Sequence, residues 1–188
     1  MKKIAFFDLE TQYTFQELGM LDWKSRDPSK LKLAVAGILS DGKISFFREN
    51  QINELIESLK KSDIIIGHNL IRFDYLVLLN YIEQNAIDTL GKITFDTWAD
   101  LERLTNSWVS LDDLCKRNLG ISKTFDPLKI PKMWRDGMQN EVIDYLANDL
   151  KMTESIFNHG KNTGKLKYEH KDYGRSLGEK EVNVDWNI

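Results

Sequence analysis

Cysteine and proline are scarce in this sequence of 188 residues, which contains one Cys and three Pro. A lone cysteine cannot form an internal disulfide, so a reducing, cytoplasmic setting is expected. Cys115 lies beside Leu111 and Leu114 in a stretch with helical spacing, where a small buried hydrophobe is expected rather than a nucleophile. No Pro-rich linker, internal repeat or low-complexity tract divides the chain, so residues 1–188 are expected to form a single domain.

Long hydrophobic runs are also missing. No apolar run approaches the roughly 20 residues that a membrane-spanning helix needs, so no membrane partner is expected. Residues 1–7 resemble the start of a signal peptide, but Asp8 and Glu10 interrupt the apolar stretch and no small-residue cleavage site follows. Hydrophobic and charged contents of 41% and 29% are ordinary for a globular protein and exclude disordered and fibrous classes.

Positive charge is not in excess either. The net charge of −3 is mildly unfavourable for binding a polyanion such as nucleic acid. Within residues 101–135, however, seven basic residues stand against four acidic ones, and the tail after residue 160 is rich in lysine. This distribution predicts either a positive rim around an acidic centre or a solvated surface of mixed charge, and charge alone does not distinguish the two.

The pattern of apolar residues predicts an α/β fold with a mixed five-stranded sheet flanked by helices. An Asp41-Gly42 turn joins the second and third predicted strands as a hairpin, and the later strands alternate with helices. The stretch 13–30 is too long for a tight turn and is expected to be a loop or flap near the active face. Residues 180–186 alternate like an edge strand. The predicted strands cover residues 3–9, 31–39, 44–48, 63–67 and 92–95, and the predicted helices include 53–60, 73–82, one starting at Ser110, and 139–158.

Asp8 and Glu10 stand two apart near the end of the first predicted strand, so both side chains should project from one face while Leu9 points into the core. Two carboxylates in this arrangement can share a pair of divalent cations roughly 3.5–4 Å apart. The alternative is a strand end with two solvated acids, which is a common pattern. The Asp-x-Glu spacing alone leaves both interpretations open.

Asp74 lies at the start of the helix that follows the fourth predicted strand. An acid at that position can simply complement the helix dipole. The mouth of a strand-to-helix crossover is also where α/β sheets tend to bind ligands, and Asn69 in the same loop could orient Asp74 or contact substrate. His68 is expected to be a hydrogen-bonding residue of the loop and not a catalytic one.

Tyr145 and Asp149 are four residues apart on the last long helix and therefore share a face. The surrounding stripe of Leu146, Leu150 and Thr153 is largely apolar, where a carboxylate is costly unless it is paired or binds a metal. Tyr145 alone is compatible with a plain core role. Beside an activated water, its hydroxyl could instead orient the nucleophile.

Three motifs taken together resemble the DEDD family of 3′–5′ exonucleases, which have the ribonuclease H-like fold. The tyrosine in the third motif resembles the DEDDy branch, and the fragments are most similar to bacterial ribonuclease H-like exonuclease domains that occur alone or fused to helicases. The resemblance covers roughly residues 1–160 and leaves 161–188 as a C-terminal extension. The matching motifs are Asp8-x-Glu10, Asn69-x-x-x-Phe73-Asp74 and Tyr145-x-x-x-Asp149.

This resemblance implies a two-metal phosphodiesterase with Mg²⁺ or Mn²⁺ as cofactor, since its ligands are hard oxygens. Asp8, Glu10 and Asp149 would hold the cation that activates the attacking water. Asp8, with Asp74 assisting directly or through a neighbouring group, would hold the second. Tyr145 would position the water. The terminal nucleotide would be held by backbone groups near Leu9 and Thr11 together with Asn69 and Phe73.

The expected substrate is nucleic acid with a free 3′ end, single-stranded and with DNA slightly preferred, and a helicase or polymerase is a candidate protein partner. Two alternatives stay open. An exoribonuclease of the ribonuclease D kind uses the same metal chemistry, so the motifs do not choose between DNA and RNA. A nucleic-acid-binding module with the same fold but without turnover is the other, although it would have no need for clustered acids that repel phosphate.

Overall fold

The computed structural model describes residues 2–172 and 175–188, and within them a five-stranded sheet forms the centre of the protein. The strands follow the order β3-β2-β1-β4-β5 across the sheet. β2 is antiparallel to β1 and β3, whereas β4 is parallel to β1 and β5, so the predicted mixed sheet is confirmed. The strands are β1 (Ile4–Thr11), β2 (Leu33–Ser40), β3 (Lys43–Arg48), β4 (Ile64–Gly67) and β5 (Thr94–Asp96).

A two-residue turn closes the β2–β3 hairpin as the sequence predicts. Asp41 and Gly42 have φ angles of 50° and 71°, and Ser40 pairs with Lys43. Type I′ turns require both central residues in this left-handed region, which Asp-Gly supplies at low cost and which matches the twist of the flanking strands. The hairpin therefore fixes the register of the antiparallel half of the sheet.

Helices cover both faces of the sheet. None of the helices in the described residues is long and apolar enough to cross a membrane. The short 3₁₀ turns are Trp23–Ser25, Pro28–Lys30, Glu49–Gln51 and Pro127–Lys129. The α-helices are α1 (Ile52–Lys60), α2 (Tyr75–Leu78), α3 (Gln84–Gly91), α4 (Thr97–Thr105), α5 (Leu111–Leu119), α6 (Ile130–Arg135) and α7 (Gln139–Thr163).

Alternate residues of β1 enter two separate apolar layers. Phe6 packs in the layer that contains Leu146 and Leu150 of α7, and Phe7 packs in the layer on the opposite face, beside Tyr75 of α2. The strand is buried on both sides because each layer is covered by helices, which explains its nearly continuous apolar sequence. Asp8, Glu10 and Thr11, near the carboxyl end of β1, are the polar residues of this otherwise apolar strand.

The chain departs from the predicted helix 73–82 at both ends. Helical structure begins three residues earlier, with a π-helical turn over Leu70–Asp74, and α2 ends at Leu78. Asn69 just before it adopts a left-handed φ of 74°, which turns the chain immediately after β4. The π-turn then places Asp74 underneath β1, where its carboxylate reaches the strand backbone.

The C-terminal residues form a hairpin instead of an edge strand of the central sheet. Within the described residues, β7 (Arg175–Asn183) pairs with β6 (Lys165–Asp172) in a sheet of two strands. Trp186 lies beyond β7, is fully buried, and stacks on Phe157 of α7 with ring centroids 5.7 Å apart. Gly160 permits this contact, since a methyl group there would lie 2.6 Å from the indole. The extension therefore packs against α7.

Candidate active site

The carboxyl end of β1 presents two acids to one cavity. Parallel pairing of β1 with β4 ends at Phe6 and Ile66, so Asp8 and Glu10 extend past the last pair of that ladder. Both side chains are half-buried and line a cavity of about 270 Å³. Leu9 between them is 4% exposed and packs in the apolar layer beneath, which agrees with the alternation expected from the sequence.

Helix α7 brings a third acid to the same point. Asp149 is 1% exposed, and carboxylate oxygens of Asp8, Glu10 and Asp149 all lie within 4.8 Å of one another. The approach of α7 depends on a small residue in the sheet, because Gly37 pairs with Asp8 and a methyl group there would lie 2.7 Å from Leu150 Cδ1. The structure thus brings together three of the four acids on which the predicted metal site depends.

Asp74 lies next to this triplet but outside it. Its side chain is buried, and Oδ1 accepts a hydrogen bond of 3.1 Å from the backbone N–H of Leu9. It lines the same cavity as Asp8 and Glu10. Because Leu9 sits between those two acids, the hydrogen bond fixes the strand that presents them. Direct metal ligation by Asp74 stays a prediction.

Burial dominates the electrostatics of the acids. Together with repulsion from Asp149, it raises the pKa of Asp8 to about 7. Burial followed by repulsion from Asp8 raises the pKa of Glu10 and of Asp74 well above the ordinary range. Grouped acids that are costly to ionise without a nearby positive charge characterise catalytic and metal-binding sites.

Lys123 supplies such a charge, and sequence reasoning did not assign it to the site. Its Nζ lies 2.5 Å from Asp149 Oδ2 and 3.1 Å from the Tyr145 hydroxyl. Burial lowers the pKa of this ammonium, but Asp149, Tyr145 and Asp8 raise it by more, so the group stays charged. Lys123 belongs to the irregular stretch between α5 and α6, where no periodicity links it to the motifs.

The residues fit a divalent cation. Asp149 Oδ1 is buried and has no hydrogen-bond partner among the described residues, while its other oxygen is paired with Lys123. A buried carboxylate oxygen is costly without a partner. The neighbouring donors from Asp8 and Glu10 are carboxylate oxygens, which suit Mg²⁺ or Mn²⁺ better than softer metals.

The residues expected to hold substrate surround the same cavity. Asn69 and Phe73 line it, and Phe73 packs edge-on against Phe15 with centroids 6.3 Å apart. Thr11 lines it as well, but its hydroxyl donates to the carbonyl of Tyr13 at 2.9 Å. The sequence did not single out Phe15, which belongs to the 13–30 segment and brings that segment to the cavity.

His68 is a hydrogen-bonding loop residue. Its Nδ1 lies 3.0 Å from Thr97 Oγ1 and its Nε2 lies 2.9 Å from the carbonyl of Val109. Burial lowers the pKa of His68 to about 4, so the ring is neutral at physiological pH. Both ring nitrogens are engaged, which agrees with the expectation that His68 is a hydrogen-bonding residue of the loop.

Comparison with solved structures identifies the fold. A family B DNA polymerase from the hyperthermophilic archaeon Pyrobaculum calidifontis superposes with a TM-score of 0.61. The fold is similar to that of part of this polymerase. The match covers 85% of this chain but 24% of the polymerase, at 16% sequence identity. The α/β architecture with a five-stranded mixed sheet is consistent with a ribonuclease H-like fold. Neither protein-family models nor curated proteins give a significant match.

A second, wider cleft of about 770 Å³ adjoins the carboxylate cavity. The two share Asp8, Asn69 and Lys123 in their walls, so the cleft opens directly onto the acidic cluster. Trp98 and Phe125 also line the wider cleft. The site therefore consists of a small inner cavity beside the carboxylates and a larger approach to it.

Proposed function

We propose that the protein is a metal-dependent 3′–5′ exonuclease of the DEDDy type. It would hydrolyse the terminal phosphodiester of single-stranded DNA, or of RNA, and release a nucleoside 5′-monophosphate. The observation that carries the proposal is the convergence of Asp8, Glu10 and Asp149 within 4.8 Å beside a cavity. The similarity in fold to a DNA polymerase supports nucleic acid as the substrate class.

The carboxylates would hold two cations. Asp8, Glu10 and Asp149 would bind one of them, and Asp8 with Asp74 would bind the other. When bound, such a pair lowers the pKa of water and neutralises charge on the attacking and leaving oxygens. Burial raises the pKa of Asp8 and Glu10, so these acids are costly to ionise alone and the positive charge of the cations would hold them in the ionised form.

Tyr145 would position the attacking water. Burial raises the pKa of the Tyr145 hydroxyl, so it stays protonated near neutral pH and acts through hydrogen bonding rather than as a base. Its oxygen already accepts a hydrogen bond from Lys123 at 3.1 Å, which orients the hydroxyl. Lys123 also places a positive charge beside Asp149, where negative charge on a phosphate would accumulate.

The inner cavity would hold the terminal nucleotide. Phe73 and Phe15 offer aromatic surface to a base, and stacking of this kind tolerates every base because each has a π-face. Asn69 and the backbone near Leu9 and Thr11 would contact the sugar and phosphate. This arrangement would orient the terminal phosphodiester toward the carboxylates.

The test is digestion of 5′-labelled single-stranded DNA and RNA with Mg²⁺ or Mn²⁺. Wild type should give a ladder shortened from the 3′ end, and Asp149→Asn should abolish it. Asp144→Asn is the matched control, because Asp144 lies on the same helix but is exposed. Equal cleavage in EDTA, or equal loss in both variants, would refute the proposal.

A further inference from the structure

We propose that Trp98 and Trp108 form a stacking platform for single-stranded nucleic acid, which binds nucleotides upstream of the 3′ end. The inference rests on the proposed function for the direction of the strand. The platform consists of two indoles on α4 and on the loop after it, with ring centroids 6.1 Å apart. It is separate from the inner cavity, whose lining includes neither tryptophan.

Two charged residues hold the indoles in place. The Arg72 guanidinium lies 4.7 Å from the centroid of Trp98 and pairs with Glu102 at 2.7 Å. The same Glu102 accepts a hydrogen bond of 3.1 Å from Trp108 Nε1. One carboxylate therefore orients both the cation and the second indole, so the platform is ordered before any ligand binds.

Exposure of Trp108 indicates that its ring serves a ligand and not the core. The residue is 75% exposed although its indole N–H is already engaged, which leaves ring surface open to solvent. Base stacking on an exposed aromatic ring contributes about 1–3 kcal/mol per base. The charge of the Arg72 guanidinium is balanced by Glu102, so the platform offers aromatic surface rather than net positive charge.

The platform is continuous with the carboxylates. Trp98 lines the wider cleft of about 770 Å³ together with Asp8 and Lys123, which also line the inner cavity. Phe125 lines the same cleft and is 45% exposed. A strand with its 3′ end at Asp8 would leave the site through this cleft and pass Trp98 before reaching Trp108.

Two acids in the cleft wall each accept a backbone hydrogen bond. Asp112 accepts from the amide of Lys123 at 2.7 Å, and Asp126 accepts from the amide of Leu128 at 3.0 Å. Hydrogen bonds to a carboxylate favour its charged form, so both acids would repel the phosphates of a strand. Binding is accordingly expected to depend on stacking more than on phosphate neutralisation.

The test measures binding without catalysis. A dye-labelled oligothymidylate of about 12 nucleotides, a length within the range of single-strand-binding sites, is titrated in EDTA and followed by fluorescence anisotropy. Trp108→Ala should weaken binding about 5-fold to 100-fold, and Trp108→Phe should recover most of the affinity because an aromatic face remains. Trp98→Ala should weaken it similarly.

Trp23→Ala is the matched control, since Trp23 is 72% exposed but lines neither cavity. The affinity of this variant for the oligothymidylate should equal that of wild type. Affinity within twofold of wild type for Trp108→Ala would overturn the proposal and favour a protein partner for this surface. If Asp149→Asn retains nuclease activity but Trp108→Ala loses binding, the proposed active site fails and the platform stands.

Discussion

Replacing Lys123 by methionine should destabilise the metal-free protein and do so much less when a divalent cation is present. The ammonium is the partner of Asp149, which is 1% exposed, whereas 23% of the Lys123 side chain is exposed. Removing one partner of a buried pair costs about 3–5 kcal/mol, and the partial exposure reduces this to about 2–3 kcal/mol. Methionine retains most of the apolar stem, so the loss reports mainly the charge.

For a chain of this size, each kcal/mol shifts the melting temperature by about 2–4 °C. Thermal melts in EDTA should therefore place Lys123→Met roughly 4–12 °C below wild type. Saturating Mg²⁺ should reduce this gap by at least half, because the bound cation supplies the positive charge that Asp149 has lost. Lys132→Met serves as control, since Lys132 pairs with Asp136 at the exposed surface and should change stability by less than about 1 kcal/mol. An equal deficit with and without Mg²⁺ would refute a cation site at Asp149.

Three further predictions concern the acids, Tyr145 and the packing of Trp186. In EDTA, the free energy of unfolding should fall as pH rises from about 4 to 8. The pKa values of Asp8 and Glu10 are raised in the folded state, which therefore binds more protons than the unfolded state over this range. Thermal melts at several pH values measure this, and a melting temperature independent of pH would contradict it. Tyr145→Phe should lower the rate of cleavage, measured in single-turnover reactions, about 100-fold, while the affinity for Mn²⁺ is retained. An unchanged cleavage rate would exclude a positioning role for Tyr145. Gly160→Ala should destabilise the protein by about 1–3 kcal/mol in urea titration, since the added methyl meets the buried Trp186 ring; stabilisation would show that helix propensity dominates there.

Periodicity predicted the central sheet well because its residues obey strong local rules. The Asp41-Gly42 turn, the alternation around Leu9 and the helical spacing of Tyr145 and Asp149 each depend on a few neighbouring residues. The motifs placed Asp8, Glu10 and Asp149 together correctly because strand ends and helix faces have fixed geometry. Local rules of this kind are visible in a single sequence.

Other features depended on contacts that the sequence does not display. Lys123 reaches Asp149 from an irregular loop, and no periodicity constrains where such a loop lies. Asp74, the last residue of the π-turn, accepts a hydrogen bond from the backbone of Leu9, which joins residues 65 positions apart. Trp186 ended as a buried partner of α7 rather than as part of an edge strand, because the space above Gly160 accepts an indole.

Direct measurement of Mn²⁺ binding tests the central claim, that Asp8, Glu10 and Asp149 form a cation site. Isothermal titration should detect two Mn²⁺ ions per wild-type chain, as a two-metal site requires. Asp149→Asn should lose at least one of them, while the exposed variant Asp144→Asn should bind as wild type does. If wild type binds no Mn²⁺, or Asp149→Asn binds it equally well, the three carboxylates are not a metal site.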